Sequence, residues 1–283
     1  MIRRTAVVAT VVAAVAIPTG FALNSASAVA SCDGKAATIV GTASADRLVG
    51  TAGADVIVAG GGADVIVGKA GNDVVCGGAG DDTITGNLGK DRVFGGLGAD
   101  KIDNSNGHEG VDRLWGGPGD DTVFGQTVGD VVYGGDGRDW IHLWGGVGHG
   151  GPGADGIGVA EGKAYGGTGN DKLEPFGDGI RLVGGPGADT LLLGAADTGG
   201  ARVDLAAGTG RTLTFPGTAD HGVFEFTFTG VENFDGTGYR DIVYGTSGAN
   251  VLDGDGGRDT VYGRAGSDAC RAEVKYGCER LIP

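Results

Sequence analysis

From Leu48 onward an aliphatic residue recurs every nine positions: Leu48, Ile57, Ile66, Val75, Ile84, Val93 and Ile102. An aspartate stands two residues ahead of each, at Asp46, Asp55, Asp64, Asp73, Asp82, Asp91 and Asp100. Glycines cluster before each aspartate, as in Gly77-Gly78-Ala79-Gly80-Asp81-Asp82-Thr83-Ile84-Thr85. The phase slips by three residues at Asn104-Ser105-Asn106. It resumes with Asp112, Asp121, Asp130 and Asp139 and their aliphatic partners Leu114, Val123, Val132 and Ile141. Residues 143–165 are degenerate, with a stray unit around Asp155. Asp171 and Asp189 then follow 18 apart; between them Ile180 replaces the aspartate while Leu182 keeps the aliphatic position. A last block holds Asp241, Asn250, Asp259 and Asp268, followed by Val243, Leu252, Val261 and Cys270.

The period predicts a shape. Three residues around each aliphatic are extended, with the middle one turned inward. The six residues before them must turn, and glycine permits the positive φ that such turns need. Two units then make one flattened coil of 18 residues with a strand on either side. The fold class expected is all-β: a parallel β-roll, a solenoid of 18 residues per coil, interrupted at 143–165 and 193–238. In the second interruption, Val203-Asp204-Leu205 and Val223-Phe224-Glu225-Phe226-Thr227-Phe228 read as strands by alternation. Phe224, Phe226 and Phe228 are expected to pack into a local core, with a ligand platform as the alternative.

The GGxGxDxUx pattern resembles the RTX, or haemolysin-type, calcium-binding repeat family over residues 41–142, 166–192 and 239–268. The resemblance implies calcium as the ligand, several ions per chain. The spacing gives it a physical reason. Aspartates 18 apart stack on one edge of the roll, one strand spacing of about 4.8 Å apart. Two carboxylates that close repel by roughly 3 kcal/mol at an effective dielectric near 20. A hard dication between coils reverses that sign, and calcium takes six to eight oxygens from carboxylates and turn carbonyls. The expected metal ligands are Asp46, Asp55, Asp64, Asp73, Asp82, Asp91, Asp100, Asp112, Asp121, Asp130, Asp139, Asp171, Asp189, Asp241, Asp259 and Asp268. The pairs expected to share an ion are Asp46 with Asp64, Asp55 with Asp73, Asp64 with Asp82, Asp73 with Asp91, and Asp82 with Asp100. Asp112 with Asp130, Asp121 with Asp139, Asp171 with Asp189, and Asp241 with Asp259 follow. Asn250 weakens its pairing with Asp268 by lacking a charge, and Ser44 stands where the first unit should have glycine. The competing reading makes these aspartates turn caps only. With one aliphatic per nine residues the core is thin, so ion binding is expected to drive folding.

Composition and charge fit this picture. Glycine supplies 63 of 283 residues, which without a period would read as disorder. The net charge of −15 argues against nucleic acid and against an anionic membrane surface, and suits multivalent cations. Arg3 and Arg4, the apolar run Ala6 to Ala16 and the small-x-small Ala28-Val29-Ala30 read as a secretory signal peptide over 1–30, so the chain is expected outside the cell from Ser31. Val29-Ala30-Ser31-Cys32 also loosely resembles a lipoprotein cleavage box. No later segment is apolar enough to span a membrane.

Four cysteines in an exported chain suggest two disulfides, with three connectivities open. Cys270 and Cys278 are close enough to shut a terminal loop, which leaves Cys32 with Cys76. Zinc is disfavoured because no CxxC occurs. Cys76 falls at an outward position beside Val56, Val58, Val74 and Phe94, so the segment from Cys32 to Val40 is expected to clamp that outer face. The organisation expected is then 1–30 signal peptide, 31–142 N-terminal cap and calcium-binding roll, and 143–192 degenerate repeats continuing the roll. A non-repeat β segment at 193–238 and C-terminal repeats with a disulfide cap at 239–283 complete it.

No catalytic constellation emerges: there is no GxSxG, HExxH or GxxxxGK, and His108, His142, His149 and His221 are scattered. The chain is expected not to be an enzyme. A β-helix polysaccharide enzyme, which would need a polar cluster within 143–238, is the catalytic alternative. A cell-wall or polysaccharide adhesion module is another. Ice binding is disfavoured because the outward positions Arg47, Val65, Thr83 and Lys101 are mixed rather than a threonine ladder.

Overall fold

The computed structural model describes residues 30–104, 110–193, 199–213 and 223–281. The expected signal peptide lies outside the described residues, except for Ala30. Among the described residues no helix is long and apolar enough to cross a membrane.

The chain winds into a parallel β-roll. Successive strands alternate between two sheets, of 13 and 15 strands among the described residues. The register repeats at 18: Val56–Gly61 pairs with Val74–Ala79, placing Ile57 beside Val75, while Val65–Ala70 pairs with Thr83–Leu88 on the opposite sheet. The aliphatic of each unit faces inward and is fully buried, from Ile57 through Ile102 and Leu114 to Val261. The three-residue slip near residue 104 does not disturb the register, because Arg92–Leu97 still pairs with Arg113–Pro118, placing Val93 beside Leu114.

Residues 143–165 do not interrupt the roll, which corrects the expectation. Strands Trp140–Leu143, Gly146–Pro152, Gly156–Val159 and Gly162–Thr168 continue both sheets. The aspartates there are joined at 16 residues, Asp139 to Asp155 and Asp155 to Asp171, so the coil is shorter by two. The core volume has moved across the roll. Gly148 and Ala164 stand at the inward positions of the 15-strand sheet, and Leu143 and Val159 fill the space from the other sheet. A Cβ on Gly148 would lie 2.9 Å from Leu143 Cδ1 and 3.2 Å from Ile157 Cγ2.

The insert at 193–238 is absorbed by one sheet only. Ala201–Asp204, Thr209–Thr212 and Glu225–Thr229 form an antiparallel meander between Ile180–Val183 and Ile242–Tyr244. On the other sheet Thr190–Leu192 pairs directly with Asn233–Asp235, so no gap opens there. Phe226 and Phe228 are buried with ring centroids 6.3 Å apart, whereas Phe224 is half-buried.

Both disulfides form, Cys32 with Cys76 and Cys270 with Cys278. The two-stranded hairpin Ser31–Cys32 and Lys35–Ala36 packs on the outer face of the 15-strand sheet. It covers Val74, and Asp33 pairs with Arg92. Cys270 sits inward, closing the last coil. A core truncation should be costly in so thin an interior. Ile102→Ala is expected to destabilise the folded roll by about 2–5 kcal/mol, measured by thermal unfolding followed with circular dichroism.

Candidate metal centre

The aspartate of each unit begins at the end of a glycine turn and points back under it. Its Oδ1 accepts the backbone N–H of the aspartate one coil earlier: Asp46 to Asp64 at 2.7 Å, Asp64 to Asp82 at 2.8 Å, Asp73 to Asp91 at 2.9 Å and Asp82 to Asp100 at 2.8 Å. Every expected pair is stacked in this way, including Asp55 with Asp73, Asp112 with Asp130, Asp121 with Asp139, Asp171 with Asp189, Asp241 with Asp259, and Asn250 with Asp268. Asp91 to Asp112 and Asp100 to Asp121 bridge the slip at 21 residues.

Three further carboxylates join the rows. Asp155 is a full rung, which the stray unit in the sequence hinted at. Glu232 accepts from the Asp189 N–H at 3.0 Å, and Glu273 from the Asp259 N–H at 2.7 Å. Neither glutamate carries the nonapeptide signature. Each reaches the rung by one extra methylene from a turn of different length.

The two edges of the roll differ. One row runs unbroken from Asp46 through Asp189 to Glu232. The other runs from Asp55 to Asp130, stops, and resumes at Asp241.

The second carboxylate oxygen separates two kinds of rung. In Asp64, Asp73, Asp82, Asp91, Asp100, Asp121, Asp139, Asp155, Asp171, Asp189, Asp259 and Asp268, Oδ2 is buried without a hydrogen-bond partner. Most of these follow a Gly-Gly turn. In Asp46, Asp55 and Asp241 a Gly-Thr turn replaces it, and the threonine N–H donates to Oδ2 at 2.6, 2.6 and 2.8 Å. Oδ2 of Asp130 accepts from the Thr127 N–H, and that of Asp112 from Asn104 Nδ2.

The orphan oxygens face a cleared space. A Cβ on Gly68 would lie 2.6 Å from Asp73 Oδ2 and 2.8 Å from the Gly86 carbonyl oxygen of the next coil. The same kinds of partner, closer still, surround Gly77 and Gly95. Each clearing thus brings one buried carboxylate oxygen and one main-chain oxygen of the neighbouring coil together. A buried carboxylate oxygen with no donor is costly. A hard cation bound through oxygens fits that set. Among the described residues no three His, Cys, Asp or Glu side chains are grouped so that they could hold a metal ion by themselves. The carboxylates stand in single file, and carbonyls would complete a cation's shell.

Without a cation the rows resist ionisation. Burial pushes Asp82, Asp100, Asp112, Asp155, Asp189 and Asp259 up to about 6, and Asp91, Asp139 and Asp241 up to about 7. The donated backbone N–H opposes this shift, and neighbouring carboxylates add to it.

Beyond the rows, a cleft of about 590 Å³ lies over the meander, lined by Asp178, Arg202, Asp204, Arg211, Glu225 and Thr227 among others. Two of its carboxylates are engaged locally: Asp204 bonds Arg264 at 2.8 Å, and Asp178 accepts the Glu225 N–H.

Two expectations follow. Gly77→Ala should lower thermal stability and the response to calcium, whereas Gly53→Ala should leave both unchanged, because a Cβ there meets only Thr51 Oγ1 at 3.8 Å. The second concerns pH. A folded pKa above the unfolded value near 3.8 gives stability that is present below that value and lost as pH rises through about 6 to 7. In chelator, lowering the pH from about 8 to about 4.5 should therefore raise β structure and melting temperature, read by circular dichroism.

No curated protein matches the chain. A family model does: the RTX calcium-binding nonapeptide repeat (4 copies), over residues 40–75, 77–102, 101–127, 129–148 and 235–269, about half of the 283 residues. With its β-roll and stacked aspartates, the chain belongs to the RTX calcium-binding nonapeptide repeat family.

Proposed function

We propose that this chain is an exported calcium-binding protein whose roll folds as it takes up calcium. The observation that carries the reading is the file of buried Oδ2 atoms with no donor, most of them at a cleared glycine that also faces a carbonyl of the next coil, as at Asp73, Asp82, Asp100 and Asp121. Calcium supplies the positive charge that these oxygens lack. The residues that would hold it are Asp64, Asp73, Asp82, Asp91, Asp100, Asp121, Asp139, Asp155, Asp171, Asp189, Asp259 and Asp268, with glycine-turn carbonyls. Asp46, Asp55, Asp130 and Asp241, already bonded to local N–H groups, and Asp112, bonded to Asn104, act as ends and joints of the rows.

The chain's own residues set the conditions. The turn glycines keep the clearing open, the stacked N–H groups aim one carboxylate oxygen, and the thin core leaves folding dependent on the ion. Low cytosolic calcium would keep the chain open until export, and calcium outside would close it. The N-terminal signal pattern and the two disulfides support the exported location. The family is a calcium-binding repeat and not a catalytic domain, and the chain is not an enzyme.

Far-UV circular dichroism of the oxidised chain from Ser31 onward should show a cooperative transition to β structure with calcium and not with magnesium. Full β structure in chelator at neutral pH, without a calcium response, would sink the proposal. Asp82→Asn is expected to move the transition to several-fold higher calcium, and Asp46→Asn to move it little.

A further inference from the structure

The outer face of the 15-strand sheet carries a pattern that the metal rows do not use. From Arg92–Leu97 to Ile180–Val183, six neighbouring strands present two outward columns. One column reads Arg92, Arg113, Val131, Val147, Lys163, Arg181, each beside the next across the strands. The other reads Phe94, Trp115, Tyr133, His149, Tyr165, Val183. Neither column contains an acid, on a chain of net charge −15.

The first column is unfavourable for the fold itself. Arg92 stands beside Arg113, and Lys163 beside Arg181, and like charges directly across strands are destabilising. Arg92 is paired with Asp33 of the hairpin. Arg113, Lys163 and Arg181 are exposed and have no ion-pair partner among the described residues.

The second column is rigid. Its rings are stacked at 4.5, 5.7, 4.9 and 4.9 Å, with interplanar angles of 7 to 8°. The ring faces are thus spent on one another, and a ligand meets ring edges, four of which carry an N–H or O–H. Beside the rings the backbone is bare at Gly96, Gly117, Gly135, Gly151 and Gly167, all at positive φ. The result is a straight shelf, roughly 24 Å long at the usual strand spacing, with cations on one side and polar ring edges along it.

We propose that this shelf binds a linear anionic polysaccharide laid along the axis of the roll. Its carboxylate or sulfate groups would meet Arg113, Lys163 and Arg181, and its hydroxyls the ring edges of Trp115, Tyr133, His149 and Tyr165. Charge complementarity selects a polyanion, and the straight strand-by-strand repeat suits a periodic polymer. Single-stranded nucleic acid fits less well, because bases stack on open ring faces and here the faces are covered. The proposal rests on the roll and not on which rungs hold calcium.

The test uses the oxidised chain in calcium, with folding checked by circular dichroism in every sample. Chondroitin sulfate is the probe, and neutral dextran, single-stranded DNA and anionic vesicles are the comparisons. The wild type should bind chondroitin sulfate in a salt-sensitive way and ignore dextran. Arg113→Gln, Lys163→Gln and Arg181→Gln together should weaken binding roughly tenfold or more and flatten its salt dependence, without loss of stability, because like charges are being separated. Arg47→Gln, Lys101→Gln and Lys172→Gln remove three charges from the opposite sheet and should leave binding unchanged. Tyr133→Leu, folded, should weaken it. Equal losses in both triple variants, no loss in the first, or tighter binding of DNA or vesicles than of chondroitin sulfate would overturn the proposal. A chain that fails to fold with calcium would instead overturn the calcium reading.

Discussion

Each rung of the roll buries a carboxylate under a turn and ties one of its oxygens to the backbone of the previous coil. That single contact dictates much of the sequence. The turn above must leave room, so Gly68, Gly77 and Gly95 lack side chains where a Cβ would meet the carboxylate and the next carbonyl. The turns must also reverse tightly, so Gly78, Gly96 and Gly117 take positive φ. Where Lys69 and Asn87 stand in the corresponding place, they adopt positive φ as well, whereas Thr42, Thr51 and Thr237 do not, and there the N–H turns to Oδ2 instead. The aliphatic two positions on is then carried to the centre of the roll.

How much of this was legible follows from which features keep the nine-residue period. The aspartates, the aliphatics and the coil length do, and so the roll and its rows could be read from Asp46 to Asp139. Residues 143–165 could not, because the period there is 16 and the inward bulk has passed from the 15-strand sheet to Leu143 and Val159. The strand Thr209–Thr212 has no aliphatic to announce it, and its glycine exists to admit the Phe226 ring. Glu232 and Glu273 occupy rungs from turns that lack the repeat. Three closed rungs, Asp46, Asp55 and Asp241, are marked in the sequence by Gly-Thr where most open rungs have Gly-Gly, but the meaning of that mark needs the threonine N–H placed against Oδ2.

The middle of the roll shows what replaces a row when one is missing. After Asp130 one edge has no buried rung aspartate until Asp241. The coils between are shorter on that side and carry a larger inward residue from the opposite sheet. Three of the five rings stacked from Phe94 to Tyr165, namely Tyr133, His149 and Tyr165, lie across these same coils. There, packing and ring stacking accompany the one row that continues, through Asp139, Asp155 and Asp171.

This division also sorts the charge. The acids that make the chain anionic are concentrated in the two edges, where burial already disfavours their ionised form. Cation binding there would remove much of their field, because the opposite charge lies within contact range. The faces would then set the long-range electrostatics, and on the 15-strand sheet the outward columns from Arg92 to Arg181 contain only cations and neutral groups. A chain acidic by composition would thus show a basic, ring-lined surface once its edges are neutralised. The loading that would stabilise the roll would be the same event that makes this face the dominant field at close range.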